Sequence, residues 1–200
     1  MADIIPMSQS ELCLESDRLH YRPINEQDVD IATEIFTDPE VIKYVCDLAT
    51  PEQVAENMPT DCRRGAGGRL GIWILTRKDT GEKIGSAVLL PIPIDQDDTD
   101  FSLLVPEQYP EAEIEVGYLL KRTAWGQGFA TEACRRMLQF GFENTSLEEI
   151  KATADPDNKV SHKVLKKSGL TDQGMRYAYR CQCAGFGITR GEWMAINRAG

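Results

Sequence analysis

One segment in the second half of the chain constrains the fold most: a strand pattern, a glycine loop and then, at once, an amphipathic helix. Residues 115–133 read EVGYLLKRTAWGQGFATEA. Gly126 and Gly128 let the main chain approach a ligand closely, and the unpaired N–H groups at a helix start carry partial positive charge. Together these features predict an anion site suited to a pyrophosphate where strand and helix join.

Two nucleotide-binding patterns do not fit this loop. The dinucleotide fingerprint needs a third glycine where Glu132 or Ala133 stands, and the ATP-binding loop needs a lysine and a hydroxyl residue after its last glycine. A glycine–x–glycine turn alone is also common in loops that bind nothing. A nucleotide-binding protein of another kind therefore stays an alternative on this segment alone.

Hydrophobic periodicity along the chain predicts a mixed α/β sheet with helices on both faces. A long irregular excursion follows the second hairpin strand, over residues 91–110. The predicted strands cover 12–24 (two strands and a turn), 70–77, 83–90, 113–120, 150–154, 174–183 and 187–196. The predicted helices begin near 28 and 50 and cover 129–143 and 158–168.

The net charge and its distribution limit the classes of partner that this protein can bind. The formal net charge of −10 argues against a nucleic-acid binder, which needs a basic surface. Residues 95–115 hold eight acidic and no basic residues, whereas 121–136 and 159–167 hold a basic excess. This asymmetry suits an anionic cofactor and a cationic substrate, or else belongs to solvated loops. No apolar run approaches the roughly 20 residues of a membrane span, and residues 1–9 lack a secretory pattern, so we expect a cytoplasmic protein with no membrane partner.

Metal chemistry has little support in the sequence. Of six cysteines only Cys181 and Cys183 are close, and alternate strand residues face one side, so two ordinary thiols on a strand are expected. The two histidines, His20 and His162, cannot build a histidine-rich site. We therefore predict no metal.

A second segment narrows the interpretation of the glycine loop. Residues 158–170 read NKVSHKVLKKSGL and begin another predicted helix about thirty residues later. The two segments together resemble the phosphate loop and the following motif of GNAT acetyltransferases. The stretches at 16–23, 38–41 and 115–118, which read SDRLHYRP, DPEV and EVGY, resemble the branch of bacterial ribosomal-protein N-terminal acetyltransferases. The resemblance runs from about residue 12 to 197.

The resemblance implies a single GNAT domain over residues 1–200, with a mixed, mostly antiparallel sheet of about seven strands. It implies an N-acetyltransferase that moves the acetyl group of acetyl-CoA, its cosubstrate, to a primary amine by direct attack in a ternary complex. The amine acceptor is a protein N-terminus or a small molecule, and the protein a monomer or homodimer. The alternative is a non-catalytic module of the same fold that binds coenzyme A as a sensor.

The resemblance also assigns cofactor contacts. The main chain of Leu119 and Leu120 is expected to pair with the pantetheine arm, and an N–H near Leu119 to polarise the thioester carbonyl. The expected pyrophosphate cradle is formed by Trp125, Gly126, Gln127, Gly128, Phe129, Ala130 and Thr131. Trp125 replaces the glutamine or arginine of the general motif, a change familiar in this branch.

Four side chains are candidates for further roles. Glu115 is the first candidate for the base that takes the proton of the amine, with Glu113 on the same strand face as the second. Asn158 is expected to bind the cofactor, to cap its helix, or both. Ser161 is expected to bind cofactor and to protonate the thiolate, or to bond only locally.

The helix at 158–168 raises two further points. Lys166 and its neighbours Lys163 and Lys167 are expected to neutralise cofactor phosphates, or to lie on a solvated helix face. Leu165 stands where many GNAT enzymes carry a tyrosine that protonates the thiolate, so that acid must come from elsewhere.

Overall fold

The computed structural model describes residues 4–198, which fold around one eight-stranded sheet. The strand order is β1-β2-β3-β4-β5-β6-β8-β7, and all neighbours are antiparallel except β5 and β6. The strands are β1 Leu14–Glu15, β2 Leu19–Pro23, β3 Gly71–Arg77, β4 Lys83–Pro91, β5 Ile114–Leu120, β6 Glu149–Ala154, β7 Thr171–Ala178 and β8 Cys181–Thr189. The predicted mixed, mostly antiparallel sheet is confirmed; it has eight strands, where the resemblance implied about seven, and the shortest, β1, has two residues.

Helices cover both faces of the sheet. They are α1 Gln9–Leu12, α2 Val29–Phe36, α3 Pro39–Ile42, α4 Pro51–Asp61, α5 Phe129–Asn144, α6 Lys159–Lys167 and α7 Arg190–Arg198. No helix of residues 4–198 is long and apolar enough to cross a membrane.

Two hydrophobic clusters hold the layers together. On one face, α5 and α6 pack on the sheet, where the Trp73 and Phe140 rings meet edge to face at 5.2 Å. On the other, Ile31, Ile35 and Met58 of α2 and α4 form a smaller cluster against β3. Helix α4 begins with a cap that its sequence supplies: the Thr50 side chain accepts from the N–H of Gln53 and precedes Pro51, which needs no N–H partner.

The end of the chain differs from the prediction. Strands were expected at 174–183 and 187–196, but β7 ends at Ala178, β8 ends at Thr189, and helix α7 follows. The two-residue turn is Tyr179–Arg180, whose φ angles are +53° and +54°. Such a turn favours asparagine and glycine, so Tyr-Arg gives no turn signal. Gly185, which lay between the two predicted strands, and Gly187 both lie inside β8.

Both of those glycines lie under long side chains of the neighbouring strand. A Cβ at Gly185 would stand 3.0 Å from the Arg176 side chain, and one at Gly187 would stand 2.5 Å from that of Gln173. Glycine therefore serves close packing in this strand and not a turn.

The long segment between β4 and β5 is held to the rest of the protein by main-chain hydrogen bonds in both of its parts. Its far part pairs with the turn Ala66–Gly68, since Ala66 N donates to Val105 O at 3.0 Å and Gly67 N to Pro106 O at 2.7 Å. Its near part pairs with the tip of the β7–β8 hairpin, as Tyr179 N donates to Pro93 O and Arg180 N to Ile94 O. The hairpin tip and residues 92–113 thus form one wall beside β5.

Candidate active site

The parallel pair β5 and β6 opens a gap in the middle of the sheet. Their only Cα register pair is Glu115 with Lys151, among residues 4–198. Beyond it β5 continues to Leu120 beside β4, and β6 continues to Ala154 beside β8. The main-chain groups on this side of β5, from Gly117 to Leu120, therefore have no strand partner and face an opening.

The register of β5 decides which main-chain groups face the gap. Lys121 N donates to Ile84 O and Ile92 N donates to Glu113 O, so odd-numbered residues of β5 bond to β4. Leu119, expected to pair with pantetheine and to lie at the polarising N–H, thus turns its own N–H towards Ser86. Tyr118 and Leu120 direct their N–H groups into the gap, so the N–H expected near Leu119 would be that of Tyr118 or Leu120.

The glycine loop after β5 presents a row of free donors. The N–H groups of six consecutive residues, Gly126 to Thr131, donate to no acceptor within residues 4–198. Gly126 and Gly128 have φ angles of +72° and +83°, which only glycine adopts easily. A Cβ on Gly126 would meet nothing within 4 Å, so the space above the loop is open. A pyrophosphate fits this cradle, because α5 adds its positive end to the free donors.

Two side chains fix the loop in this shape. Trp125 Nε1 donates to Leu120 O at 2.7 Å, and Gln127 Nε2 donates to Thr123 O at 2.8 Å. The first bond ties the loop to the last residue of β5, and the second ties it to the short turn that follows the strand. Trp125 and Gln127 therefore support the predicted cradle from the protein side, and their predicted contact with the cofactor stays a prediction.

Arg18 holds the glycine loop from outside, a role that the sequence did not predict. Its Nη1 donates to Gln127 O at 2.8 Å, its Nε donates to Glu132 Oε2 at 2.7 Å, and its guanidinium lies 4.4 Å from the centre of the Phe129 ring. A Cβ on Gly128 would lie 3.5 Å from Arg18 Nη2. The stretch SDRL carried the signal as part of the resemblance, but a pairing 114 residues apart has no local sign.

Glu115 is buried beneath the side chains of Thr153 and Tyr179. Only 7% of it is exposed; Thr153 Oγ1 donates to its Oε2 at 2.8 Å, and Tyr179 Oη donates to its Oε1. Burial raises the pKa of this carboxyl, and the two hydrogen bonds oppose the shift. Glu115 is thus a buried carboxyl whose two oxygens both accept hydrogen bonds. Tyr179 and Thr153 were not foreseen, because they come from β6 and the hairpin turn.

Glu113 is engaged elsewhere. Its carboxylate pairs with Arg176 and lies 3.8 Å from Lys151, at a half-exposed position of the sheet. Two cations therefore already hold the second candidate base. Glu115 is the nearer of the two glutamates to Leu119, which shares this strand face and packs against the cluster of α2 and α4.

The start of α6 brings two predicted residues together. Asn158 caps the helix, since its Oδ1 accepts from Ser161 N at 3.1 Å. Ser161 Oγ lies 3.0 Å from Tyr118 Oη, a phenol from β5 that the prediction did not include. Burial raises the pKa of Tyr118, so the phenol keeps its proton at neutral pH. The motif EVGY contains this tyrosine, but only the fold shows what it contacts.

Lys166 lies in the last turn of α6, where its Nζ is 3.2 Å from Asp172 Oδ2 of β7. Leu165 is 1% exposed and packs in the core.

Cys181 and Cys183 place their Sγ atoms 3.4 Å apart at the start of β8, and burial raises the pKa of Cys183 to about 12. Residues 4–198 contain no group of three or more His, Cys, Asp or Glu side chains arranged for a metal ion.

Comparison with known proteins agrees with this geometry. The family described as "Acetyltransferase (GNAT) domain" matches residues 18–171. An uncharacterized Bacillus subtilis protein, YkkB, is 30% identical over 158 residues, 78% of this chain and 84% of its own. A FsC-acetyl coenzyme A-N(2)-transacetylase of Aspergillus fumigatus is 27% identical over 198 residues, 92% of this chain and 79% of its own.

Solved structures share the fold. The aminoglycoside acetyltransferase AAC(6')-Ib, in complex with ribostamycin and coenzyme A, has a TM-score of 0.69 at 17% identity and covers 89% of this chain and 97% of its own. The ribosomal L7/L12 alpha-N-protein acetyltransferase RimL, in complex with coenzyme A, has a TM-score of 0.66 at 13% identity, with coverages of 87% and 95%.

Proposed function

The chain belongs to the GNAT acetyltransferase family, whose cosubstrate is acetyl-CoA, and we propose that it acetylates a primary amine of a cationic acceptor. The row of free N–H groups from Gly126 to Thr131 at the mouth of the β5–β6 gap carries this proposal. When bound, acetyl-CoA supplies a thioester carbonyl that an amine attacks directly in a ternary complex.

The cofactor would be held mainly by main chain. The N–H groups of the glycine loop bind phosphate oxygens, and Arg18 keeps the loop in place through Gln127 O and Glu132. Tyr118 and Leu120 offer N–H groups to the arm and to the carbonyl oxygen, which gains negative charge in the transition state. Donors fixed in a folded strand need no reorganisation as that charge develops.

Glu115 would accept the proton of the amine. Burial raises its pKa, which makes the carboxylate a stronger proton acceptor. Because both carboxylate oxygens already accept hydrogen bonds, the proton would travel through the phenol of Tyr179, which donates to Glu115 and can take up one proton as it gives up its own. The amine loses one proton, Glu115 gains one, and the phenol ends neutral.

The acceptor would approach over the wall formed by residues 92–113 and the hairpin tip. That side carries the acidic run, and one-signed charge beside a cleft attracts substrates of the opposite sign. AAC(6')-Ib is named for aminoglycosides and RimL for a ribosomal protein N-terminus. These support a primary amine on a small molecule or a protein N-terminus as the acceptor class.

An acceptor screen tests the proposal. Release of thiol from acetyl-CoA would be measured with polyamines, aminoglycosides, peptides with basic or acidic first residues, and neutral amines, and the products would be confirmed by the mass of the acetyl group. We expect cationic acceptors to react fastest. Cofactor binding without thiol release in the presence of any acceptor would contradict catalysis, and a preference for acidic peptides would contradict the acceptor class.

A further inference from the structure

The phenol of Tyr118 and the hydroxyl of Ser161 form an isolated pair at the edge of the gap. Tyr118 belongs to the stretch of β5 that β6 leaves unpaired, and Ser161 lies in the first turn of α6. Their oxygens are 3.0 Å apart, and Tyr118 Oη also lies 3.4 Å from the Ser161 carbonyl oxygen. The resemblance implied that Ser161 protonates the thiolate, but the proposed function does not yet use the contact of its side chain with Tyr118.

Counting hydrogens shows what the pair can offer. Each hydroxyl carries one proton, and the contact between them uses one of the two. The N–H of Ser161 is already bonded to the Asn158 cap, and no other described side chain bonds to Ser161 Oγ. When Tyr118 donates to Ser161, the serine proton therefore points elsewhere. In this arrangement the serine hydroxyl can donate to a group beyond the pair, at the start of a helix.

Thioester cleavage needs a donor near the sulfur. The amine nitrogen forms a bond to the acyl carbon, the carbon–sulfur bond breaks, and sulfur keeps the electron pair. Leu165, one turn further along α6, is aliphatic and buried, and Thr153 is bonded to Glu115. The Tyr118–Ser161 pair, in contrast, has one hydroxyl proton that no described contact uses.

We propose that Tyr118 is a positioning residue, whose phenol donates to Ser161 so that the serine hydroxyl stabilises the departing sulfur by a hydrogen bond. This inference rests on the proposed function. The pair lends a hydrogen bond only, and the proton that the thiol finally gains balances the one that the amine loses through Glu115 and solvent. A buried phenol stays neutral through such a cycle, so it keeps the proton that it donates to Ser161.

Binding measurements test this without turnover. Dissociation constants of coenzyme A and of desulfo-coenzyme A, which lacks the sulfur, would be compared by calorimetry at pH 7 and at pH 9, where thiolate forms. A hydrogen bond to a charged group is worth enough for roughly a tenfold preference for coenzyme A at pH 9. We expect Tyr118→Phe and Ser161→Ala each to lose most of this preference, and the double variant to lose no more.

Tyr21→Phe is the matched control. Tyr21 Oη also lies 3.0 Å from a serine hydroxyl, that of Ser16, and its pKa is likewise raised by burial. This variant should lose stability comparably to Tyr118→Phe but keep the sulfur preference. The two Tyr→Phe variants therefore separate a general packing cost from the proposed role.

Turnover supplies the second readout. Tyr118→Phe should lower kcat about tenfold with the KM for acetyl-CoA unchanged, as expected when only the transition state loses an interaction. An unchanged sulfur preference in Tyr118→Phe would overturn the inference, as would a parent protein without any preference. A loss in Tyr118→Phe alone, with Ser161→Ala normal, would show that the phenol itself is the donor and would overturn the positioning role. Failure of the proposed function would appear differently, as absent turnover in the parent.

Discussion

The two sides of the β5–β6 gap are built from different parts of the chain. The proposed cofactor side consists of main-chain donors within one continuous segment, from Tyr118 to Thr131. The proposed acceptor side consists of side chains from separate segments: Glu115 on β5, Thr153 on β6, Tyr179 in the hairpin turn and the acids of residues 92–113. The first side is built from one stretch of sequence, and the second is brought together only when the chain folds.

This difference determines how each side tolerates change. A main-chain cradle accepts many side chains but fails when a side chain enters it. An assembly of side chains changes with every substitution, so its acceptor can diverge while the cofactor stays the same. The following predictions test this contrast from the largest expected effect to the smallest.

The first prediction concerns the cradle itself. Gly128→Glu should abolish the rise in melting temperature that acetyl-CoA causes, because a carboxylate would enter the phosphate site. A ligand at about 100 times its dissociation constant adds roughly 2.7 kcal/mol to the free energy of unfolding. Differential scanning fluorimetry with and without acetyl-CoA measures the loss.

Gly81→Glu controls for the strain of the same substitution. Gly81 lies in the β3–β4 turn with a φ of +72°, and a Cβ at this position would meet nothing within 4 Å. This variant should lose stability but keep the full shift. If Gly128→Glu keeps its shift as well, the cofactor binds elsewhere and the contrast between the two sides is wrong.

The second prediction concerns the boundary between the sides. Glu115→Gln should lower kcat about a hundredfold at pH 7, in the range that a general base contributes. Less loss is expected at pH 9, because more of the acceptor amine is already neutral there. Glutamine also places an NH2 group against a donor, either Tyr179 or Thr153, which adds a stability loss that does not depend on the acceptor.

Tyr179→Phe separates these effects, since it keeps the carboxylate and removes the phenol. If the proton passes through Tyr179, this variant should show the same pH-dependent loss. Rates that fall equally at pH 7 and pH 9 in Glu115→Gln would indicate a structural role for Glu115.

The same contrast explains what the sequence could predict. The phosphate loop and the strand and helix around it are local, so glycine spacing and periodicity located them. The partners of Glu115 come from positions 38 and 64 residues away, and nothing local marks them. The Tyr179–Arg180 turn was missed because its left-handed angles are held by bonds to Pro93 O and Ile94 O and not by glycine or asparagine. Helix α7 was missed because its apolar residues also fit a strand pattern.

The third prediction concerns a carboxyl at the end of α4. Burial, assisted by the nearby charge of Asp98, raises the pKa of Asp61 from 3.8 to about 7. The unfolded chain releases this proton near pH 4 and the folded chain near pH 7, so stability falls as the pH rises between these values. Since one pKa unit corresponds to about 1.4 kcal/mol, the penalty above pH 7 is roughly 2–4 kcal/mol.

Asp61→Asn should remove that penalty. Urea unfolding should show the variant more stable than the parent at pH 8 and nearly equal to it at pH 4. Asp17→Asn, at an exposed position before β2, should change little at either pH. Equal gains for Asp61→Asn at both pH values would mean that Asp61 is not held protonated.

The last prediction concerns the acidic wall, where the expected effect is smallest because the structure already uses several of its charges. Asp97 Oδ2 lies 3.3 Å from Arg180 Nη1, and Asp98 and Asp100 accept from the N–H groups of Thr99 and Ser102. Asparagine can keep such local hydrogen bonds, so replacing aspartate by asparagine removes mainly the negative charge and its electrostatic field. The variant replaces four residues by asparagine: Asp95, Asp97, Asp98 and Asp100.

We expect the KM for a cationic acceptor to rise about threefold to tenfold at low salt and less near physiological salt, where the Debye length is about 8 Å. The KM for acetyl-CoA should stay within error, because the cradle lies on the other side of the gap. The control neutralises four exposed carboxylates elsewhere: Asp17, Asp79, Glu143 and Glu148. If the control raises the acceptor KM equally, only the net charge of −10 matters and the wall has no special part in recognition. If neither variant changes the acceptor KM at low salt, the acceptor is selected by shape and hydrogen bonds. The two sides of the gap then differ in how they are built, and the charge of the wall has no role in recognition.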